Sequence, residues 1–148
     1  MSNIFKSLKE DHDRHRKMLE QLGDTSGDSE ERHATFKAFK EEVSAHAAAE
    51  EQSLYSTMLE CPELTEKGRH SVAEHKEIDD FIEELEDTDM SSPGWAATFK
   101  KMRHRYEHHI DEEETEIFPA AQKVLSGKVT KEISGEFNER KTAELEEQ

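Results

Sequence analysis

Apolar residues recur along this chain at alternating steps of three and four, which is the period of an amphipathic α-helix. Glycine and proline divide the sequence into four segments of this kind, at about 3–22, 29–60, 63–87 and 92–125. The connections between the segments are short, and short connections join antiparallel neighbours. The pattern therefore predicts an all-α fold, an antiparallel up-down-up-down four-helix bundle.

Capping residues indicate where three of these helices begin. Ser2 is expected to cap the first helix, and Asp28 with Glu31 has capping-box spacing at the start of the second. Ser92 and Pro93 have the residue types preferred at the cap and first position of the fourth. Each predicted helix therefore has a local start signal besides its periodicity, except the third.

The C-terminal part of the chain has a different composition. Pro119 is expected to kink or break the fourth helix, and Gly127 to end it. The polar stretch that follows contains a few apolar residues, so it is expected to be either a short tail or a weak fifth helix. We accordingly expect a bundle domain over residues 1–126 and a polar extension over 127–148.

Charge and composition narrow the classes of function. Twenty Lys and Arg against 36 Asp and Glu give a formal net charge of −16, which disfavours nucleic acid and anionic membranes as partners. No apolar run approaches the roughly 18 residues that a membrane helix requires. The N-terminus lacks an apolar secretory segment, and Cys61 is the single cysteine. These features predict a cytoplasmic protein.

Histidines and carboxylates interrupt the apolar stripes, and they repeat at a fixed offset. Nine of the 148 residues are histidine. A shift of 63 residues aligns, without a gap, four pairs of polar residues: His12 with His75, His46 with His109, Glu50 with Glu113, and Glu51 with Glu114. The chain therefore reads as two helix hairpins related by a pseudo-two-fold axis.

The aligned residues have the chemistry of a metal site. A buried ionised Glu costs several kcal/mol unless it is paired or binds a metal. The i to i+4 spacing puts His46 and Glu50 on one helix face, and His109 and Glu113 on another. Divalent ions bind imidazole and carboxylate directly. We expect two metals, one held by each hairpin's pair of histidines, with the two glutamates as bridges. The histidine pairs are His12 with His46 and His75 with His109.

These motifs resemble the hemerythrin-like, or HHE cation-binding, family. The resemblance covers about residues 3–125 and includes His46-xxx-Glu50-Glu51-xx-Leu54-Tyr55 and His109-xxx-Glu113-Glu114-xx-Ile117-Phe118-Pro119. It implies a four-helix bundle that holds a non-haem di-iron centre, two iron ions bridged by an oxygen and by carboxylates.

The third predicted helix departs from the oxygen-carrying members of that family. Those carriers resemble this chain but have two ligand histidines one turn apart on helix three, where this chain has Ser71 and Asp79 on either side of His75. The pattern is more similar to the bacterial type. That resemblance implies reaction with O2, peroxide or NO, and we expect decomposition of hydrogen peroxide. The alternative is a non-catalytic sensor or carrier module for O2, NO or iron.

Two further polar residues lie on the inward stripes. His15 follows His12 by one turn and is read as an extra ligand, an acid/base group beside the metals, or a core histidine. Tyr106 precedes His109 by one turn and is read as a core aromatic, a ligand or a radical site. We expect His15 and Tyr106 to be the candidates for proton transfer. Tyr55 is expected to pack in the core, and His70 to lie on the surface.

Overall fold

The fold was analysed in a computed structural model that describes residues 3–147, and no β-strand occurs in that range. In chain order the helical segments are α1 (Ile4–Gly23), α2 (Glu30–Glu50), the π-helical turn π1 (Glu51–Tyr55), α3 (Ser56–Glu60), α4 (Thr65–Glu86), α5 (Pro93–Glu112), the π-helical turn π2 (Glu113–Ile117), α6 (Phe118–Val124) and α7 (Gly127–Glu146).

Four long rods form the bundle, because α2, π1 and α3 follow one another without a break, as do α5, π2 and α6. The predicted all-α, up-down-up-down bundle is confirmed. The C-terminal stretch, for which a tail or a helix was open, forms the long helix α7. This helix packs against α2, π1 and α1, and it buries Ile133 and Phe137.

The helix starts agree only in part with the sequence signals. Ser92 caps α5 as predicted, since its side chain accepts a hydrogen bond from a first-turn amide. Ser2 lies outside the described residues, and Asn3 provides the cap of α1. Asp28 does not cap α2; its carboxylate pairs with His33, and Ser29 Oγ accepts the first-turn hydrogen bond instead.

The end of the fourth rod also differs from the prediction. Pro119 does not break this rod, because it lies in the first turn of α6, directly after π2, where a proline is tolerated. Gly127 does not end a helix but begins α7. The preceding Ser126 has extended backbone angles, and its side chain caps the new helix.

The bundle interior has three layers along its axis. One apolar cluster includes Leu8, Leu54 and Phe137, and a second includes Leu19, Phe39 and Trp95. Between the two clusters lies a layer of buried polar side chains, Asp11, His12, His15, His46, Glu50, Glu74, His75, His109 and Glu113. No helix within residues 3–147 combines the length and the apolar character needed to cross a membrane.

Candidate metal centre

The six residues expected to be metal ligands lie together in the polar layer, and each is at most 5% exposed. Their side chains form two groups in which the potential ligand atoms all lie within 4.8 Å of one another. One group is His12, His46 and Glu50; the other is Glu50, His75, His109 and Glu113. Since Glu50 belongs to both groups, the two sites adjoin.

Each glutamate contacts one histidine from each hairpin. Glu50 Oε1 lies 3.5 Å from His46 Nε2 and 3.2 Å from His75 Nε2. Glu113 Oε1 lies 3.4 Å from His12 Nε2 and 3.2 Å from His109 Nε2. Both carboxylates therefore occupy positions from which they can bridge two ions.

A second set of carboxylates contacts the histidines at Nδ1, on the side of each ring away from the potential ligand atom Nε2, and so orients the rings. His46 Nδ1 lies 2.8 Å from Asp11 Oδ2, and His109 Nδ1 lies 2.8 Å from Glu74 Oε1. Asp11 and Glu74 are 63 residues apart, so the repeat includes this contact. An Nδ1–H bond of this kind fixes the tautomer and leaves Nε2 free for a metal.

The carboxylates beside the Nδ1 atoms of the other two histidines, His12 and His75, lie at different distances. His12 Nδ1 lies 2.7 Å from Glu114 Oε2, whereas His75 Nδ1 is 3.8 Å from Glu51 Oε2, which is beyond hydrogen-bond distance. The repeat therefore places a carboxylate behind every one of the four imidazoles, but the contact behind His75 is loose.

Without a metal, the glutamates hold protons on the histidines. Burial opposes a charge on each imidazole, but hydrogen bonds and Coulombic attraction from nearby carboxylates outweigh it. The pKa of His12 and that of His75 are raised to about 9, and that of His109 to about 10. For Glu113, burial again opposes the charge, but His109 and His12 hold the pKa well below its usual value.

The residues fit a pair of divalent ions. Within the described chain, several buried ligand atoms have no hydrogen-bond partner, among them His12 Nε2, His109 Nε2, Glu50 Oε2 and Glu113 Oε1. Unpaired buried polar atoms are costly, and a metal ion would satisfy all four. Imidazole and carboxylate suit iron, and also manganese, zinc and cobalt.

His15 and Tyr106 meet beside this layer. His15 Nδ1 lies 2.8 Å from the Tyr106 hydroxyl, and both side chains are buried. The His15 ring lies 5.0 Å from that of His46, and the Tyr106 ring stacks on His109 at 6.1 Å. Burial lowers the pKa of His15 to about 4 despite nearby Glu42, so this imidazole is neutral near pH 7.

Tyr55 reaches the same layer from the opposite end, which the sequence analysis did not predict. Its ring is buried in an apolar cluster, but its hydroxyl lies 2.9 Å from Glu50 Oε1 and 3.1 Å from His75 Nε2, and it also donates to Glu113. In an α-helix a residue five positions after Glu50 would be rotated by about 140° from it. The π1 turn brings position i+5 back over position i, which places Tyr55 above Glu50.

A narrow cleft between α2 and α4 leads from exposed Asp79 to the buried layer. Its walls include His46, His75, Ile78 and Tyr106, and its volume is about 10 Å³. This is close to the smallest volume that holds one water molecule. The cleft therefore has room for about one water-sized group. The other described histidines, His33, His70, His104 and His108, are exposed on the surface.

Comparisons with known proteins agree with this geometry. The model of the hemerythrin HHE cation binding domain matches residues 3–121. Uncharacterized proteins of Mycobacterium tuberculosis and Mycobacterium bovis are each 30% identical over 118 residues, which cover 80% of this chain and 71% of the relative. A crystal structure of a hemerythrin HHE cation binding domain-containing protein from Mycobacterium kansasii has a TM-score of 0.86 at 26% identity, covering 99% of this chain and 90% of that chain.

Proposed function

Because the chain belongs to the hemerythrin HHE cation-binding family, we propose that it holds two iron ions and that the loaded protein decomposes hydrogen peroxide. His12 and His46 would hold one ion, and His75 and His109 would hold the other. Glu50 and Glu113 would supply carboxylate oxygens to both. The support for this assignment is that each carboxylate contacts one histidine of each hairpin.

Peroxide disproportionation converts two molecules of H2O2 into two of water and one of O2. One peroxide is oxidised and gives up two electrons and two protons, and the other takes them up as its O–O bond breaks. The iron pair, when bound, supplies the electron storage that separates these two events. The protein must then supply side chains that accept protons released in the oxidation and donate them in the reduction.

The observation that carries the proposal is the buried contact between His15 and Tyr106 beside the ligand histidines. The Tyr106 hydroxyl lies 2.8 Å from His15 Nδ1, and the opposite nitrogen, His15 Nε2, is buried without a hydrogen-bond partner. His15 Nε2 faces the Glu42 carboxylate, whose Oε1 lies 3.6 Å away. A proton taken up at the Tyr106 hydroxyl from a molecule in the site can therefore pass through the neutral His15 ring toward Glu42 and later return.

The small size of the cleft that leads to the buried polar layer also favours a very small substrate. The cleft beside His46, His75 and Tyr106 has a volume of about 10 Å³. Hydrogen peroxide, O2 and NO are all small enough for a slight widening to admit them, whereas an organic substrate is not. Of the three, peroxide is the one whose turnover needs two protons moved, and Tyr106, which contacts His15, lines the cleft.

The test is an oxygen-electrode assay on protein loaded anaerobically with Fe(II), with iron per chain measured on the same sample. We expect two irons per chain and one O2 evolved for every two peroxides consumed. His15→Ala and Tyr106→Phe should lower kcat by about 10²-fold with iron retained, a typical loss for a proton-transfer group. His104→Ala, an exposed histidine on α5, is the matched control and should leave kcat unchanged.

Two other outcomes would overturn this function. Iron-loaded protein that leaves peroxide intact but forms a lasting adduct with O2 or NO would instead support the sensor or carrier module. Protein whose stability and absorption do not respond to Fe(II) would refute the metal site itself.

A further inference from the structure

A second His/Glu cluster lies on the surface between α4 and α5. His70 Nε2 is 2.6 Å from Glu112 Oε1 and 3.3 Å from Glu74 Oε1, and the three ligand atoms lie within 4.8 Å of one another. The cluster adjoins an open cavity of about 290 Å³ that is also lined by Glu66 and Glu116. Three protein ligands and an open side are the form of an exchangeable metal site.

The spacing on both helices repeats that of the buried centre. His70 and Glu74 are four residues apart on α4, and His108 and Glu112 are four residues apart on α5. His108 Nε2 lies 3.8 Å from Glu112 Oε2, so a second imidazole stands beside the cluster. On each helix the i to i+4 step puts both side chains on one face.

The pseudo-two-fold repeat shows that this face differs between the two halves of the bundle. The positions 63 residues before His70, His108 and Glu112 are Ser7, Ala45 and Ala49. Ala45 and Ala49 are buried, and Ala49 shares an apolar cluster with Ile133 and Phe137 of α7. The half that α7 covers therefore has small residues, whereas the half that α7 leaves open has imidazoles and carboxylates.

The charge around the cluster favours a cation. Glu66, Glu112 and Glu116 line the cavity, and Lys67 is the one cationic side chain on its wall within the described residues. Glu74 adds a fourth carboxylate beside His70. Four carboxylates against the one ammonium of Lys67 leave this group with an excess of negative charge, which a divalent ion would reduce.

From this geometry we propose that His70, Glu74 and Glu112 bind a divalent transition-metal ion at the surface, separate from the buried pair. Imidazole with carboxylates suits Zn²⁺, Fe²⁺ and Mn²⁺. Glu74 Oε1 also accepts the hydrogen bond from His109 Nδ1 at 2.8 Å. The surface ion and the buried centre therefore share one carboxylate, and exposure of His70 makes the surface ion the more exchangeable of the two.

The test is calorimetric titration with Zn²⁺ of wild-type protein, His70→Ala, Glu112→Gln and the control His104→Ala, each first freed of metal with a chelator. Wild type and the control should bind one more Zn²⁺ per chain than His70→Ala, and Glu112→Gln should bind that ion at least about tenfold more weakly. Helicity by circular dichroism verifies that each variant folds. In an NMR titration of the wild-type protein, the ring resonances of His70 should shift as the last ion binds, while those of His104 should not change.

Equal Zn²⁺ stoichiometry and affinity in wild type and both cluster variants would overturn the proposal and leave an ordinary His–Glu ion pair. The comparison does not depend on the buried centre. If the buried residues bind no metal, all four proteins lose those ions alike, and the difference of one ion between wild type and His70→Ala is still expected.

Discussion

His46 Nδ1 donates a hydrogen bond to Asp11 over 2.8 Å, and this contact connects the buried polar layer to the C-terminal helix. Lys141 of α7 extends the chain of contacts, since its Nζ lies 2.7 Å from Asp11 Oδ1 and 3.0 Å from Glu42. The equivalent carboxylate of the other half, Glu74, has the His70 imidazole beside it in place of a lysine. The two histidine pairs therefore stand in different electrostatic surroundings.

Asp11→Asn should weaken metal binding at the His12 and His46 pair. Loss of a carboxylate that orients a ligand histidine costs about 10–100-fold in metal affinity, because the imidazole becomes less basic and less fixed. Competition with a chelator should show one ion lost at lower chelator concentration while the other is retained. Asp13→Asn, an exposed change on the same helix, is the control. Simultaneous loss of both ions would contradict the expectation that Asp11 acts on the His12 and His46 pair alone.

Lys141→Met should destabilise the protein by about 1–3 kcal/mol, the usual cost of taking one donor from a buried acceptor, because Asp11 keeps its contacts with Arg14 and His46. Burial opposes the charge on Asp11, but His46 and Lys141 hold its pKa well below the usual value. Without Lys141 that pKa rises, and acid unfolding should begin at higher pH. Urea denaturation at several pH values measures both effects, with exposed Lys131→Met on the same helix as the reference. An unchanged unfolding midpoint would show that Asp11 does not need this cation.

Tyr55→Phe should destabilise the metal-free protein more than the metal-loaded one. The Tyr55 hydroxyl lies within hydrogen-bond distance of Glu50 and Glu113 and donates its one proton to either of them, and a buried carboxylate left without its donor costs about 1–3 kcal/mol. Bound ions neutralise the same carboxylates and reduce this cost. Thermal unfolding of both forms measures the difference. Equal losses in the two forms would mean that the hydroxyl acts only through packing.

The metal-free protein should lose stability as pH rises from about 7 to 10. The pKa values of His12, His75 and His109 are raised to between about 9 and 10 when the protein folds. Their contribution to the free energy of unfolding is complete below the unfolded pKa of about 6.5 and disappears as pH rises through the folded values. Urea denaturation across this range tests the expected fall.

Because the pKa values of these histidines are raised, we expect metal binding near neutral pH to release protons. Three imidazoles that are charged in the metal-free protein must become neutral to bind a metal. Calorimetry in buffers of different ionisation enthalpy should report about three protons released per chain as both ions bind. The loaded protein should then show no loss of stability between about pH 7 and 10. Release of no protons would contradict histidine ligation.

Much of the fold was open to prediction because its signals are local or periodic. The spacing of apolar residues gave the four rods, and the 63-residue offset indicated which polar side chains would share a layer. The structure brings His12, His46, His75 and His109 together in that layer. Their role as ligands, and that of Glu50 and Glu113, remains a prediction that the metal titrations test.

Other features depend on contacts that a periodic pattern does not contain. Tyr55 reaches the layer only because π1 changes the helical period after Glu50, and helical spacing alone put its side chain in the core. The long helix α7 has a weak apolar stripe, and Ile133 and Phe137 become buried because α2 offers small residues opposite them. Asp28 is a residue type that caps helices and lies at a capping position in the sequence, but its carboxylate pairs with the His33 side chain instead.

The two π-helical turns mark the places where this chain can lose one residue without a change in the orientation of the helix that follows. Each turn holds one residue more than an α-helical turn, and the two turns begin within one position of each other in the 63-residue repeat, directly after Glu50 and at Glu113 itself. Deleting one residue, such as Gln52, would put the tyrosine four positions after Glu50, and an ordinary α-helical turn keeps such a pair on one face. The residues that follow would keep their orientation, because the deletion removes the extra residue of the π turn. The same deletion inside α2 would instead rotate the rest of the rod by about 100°.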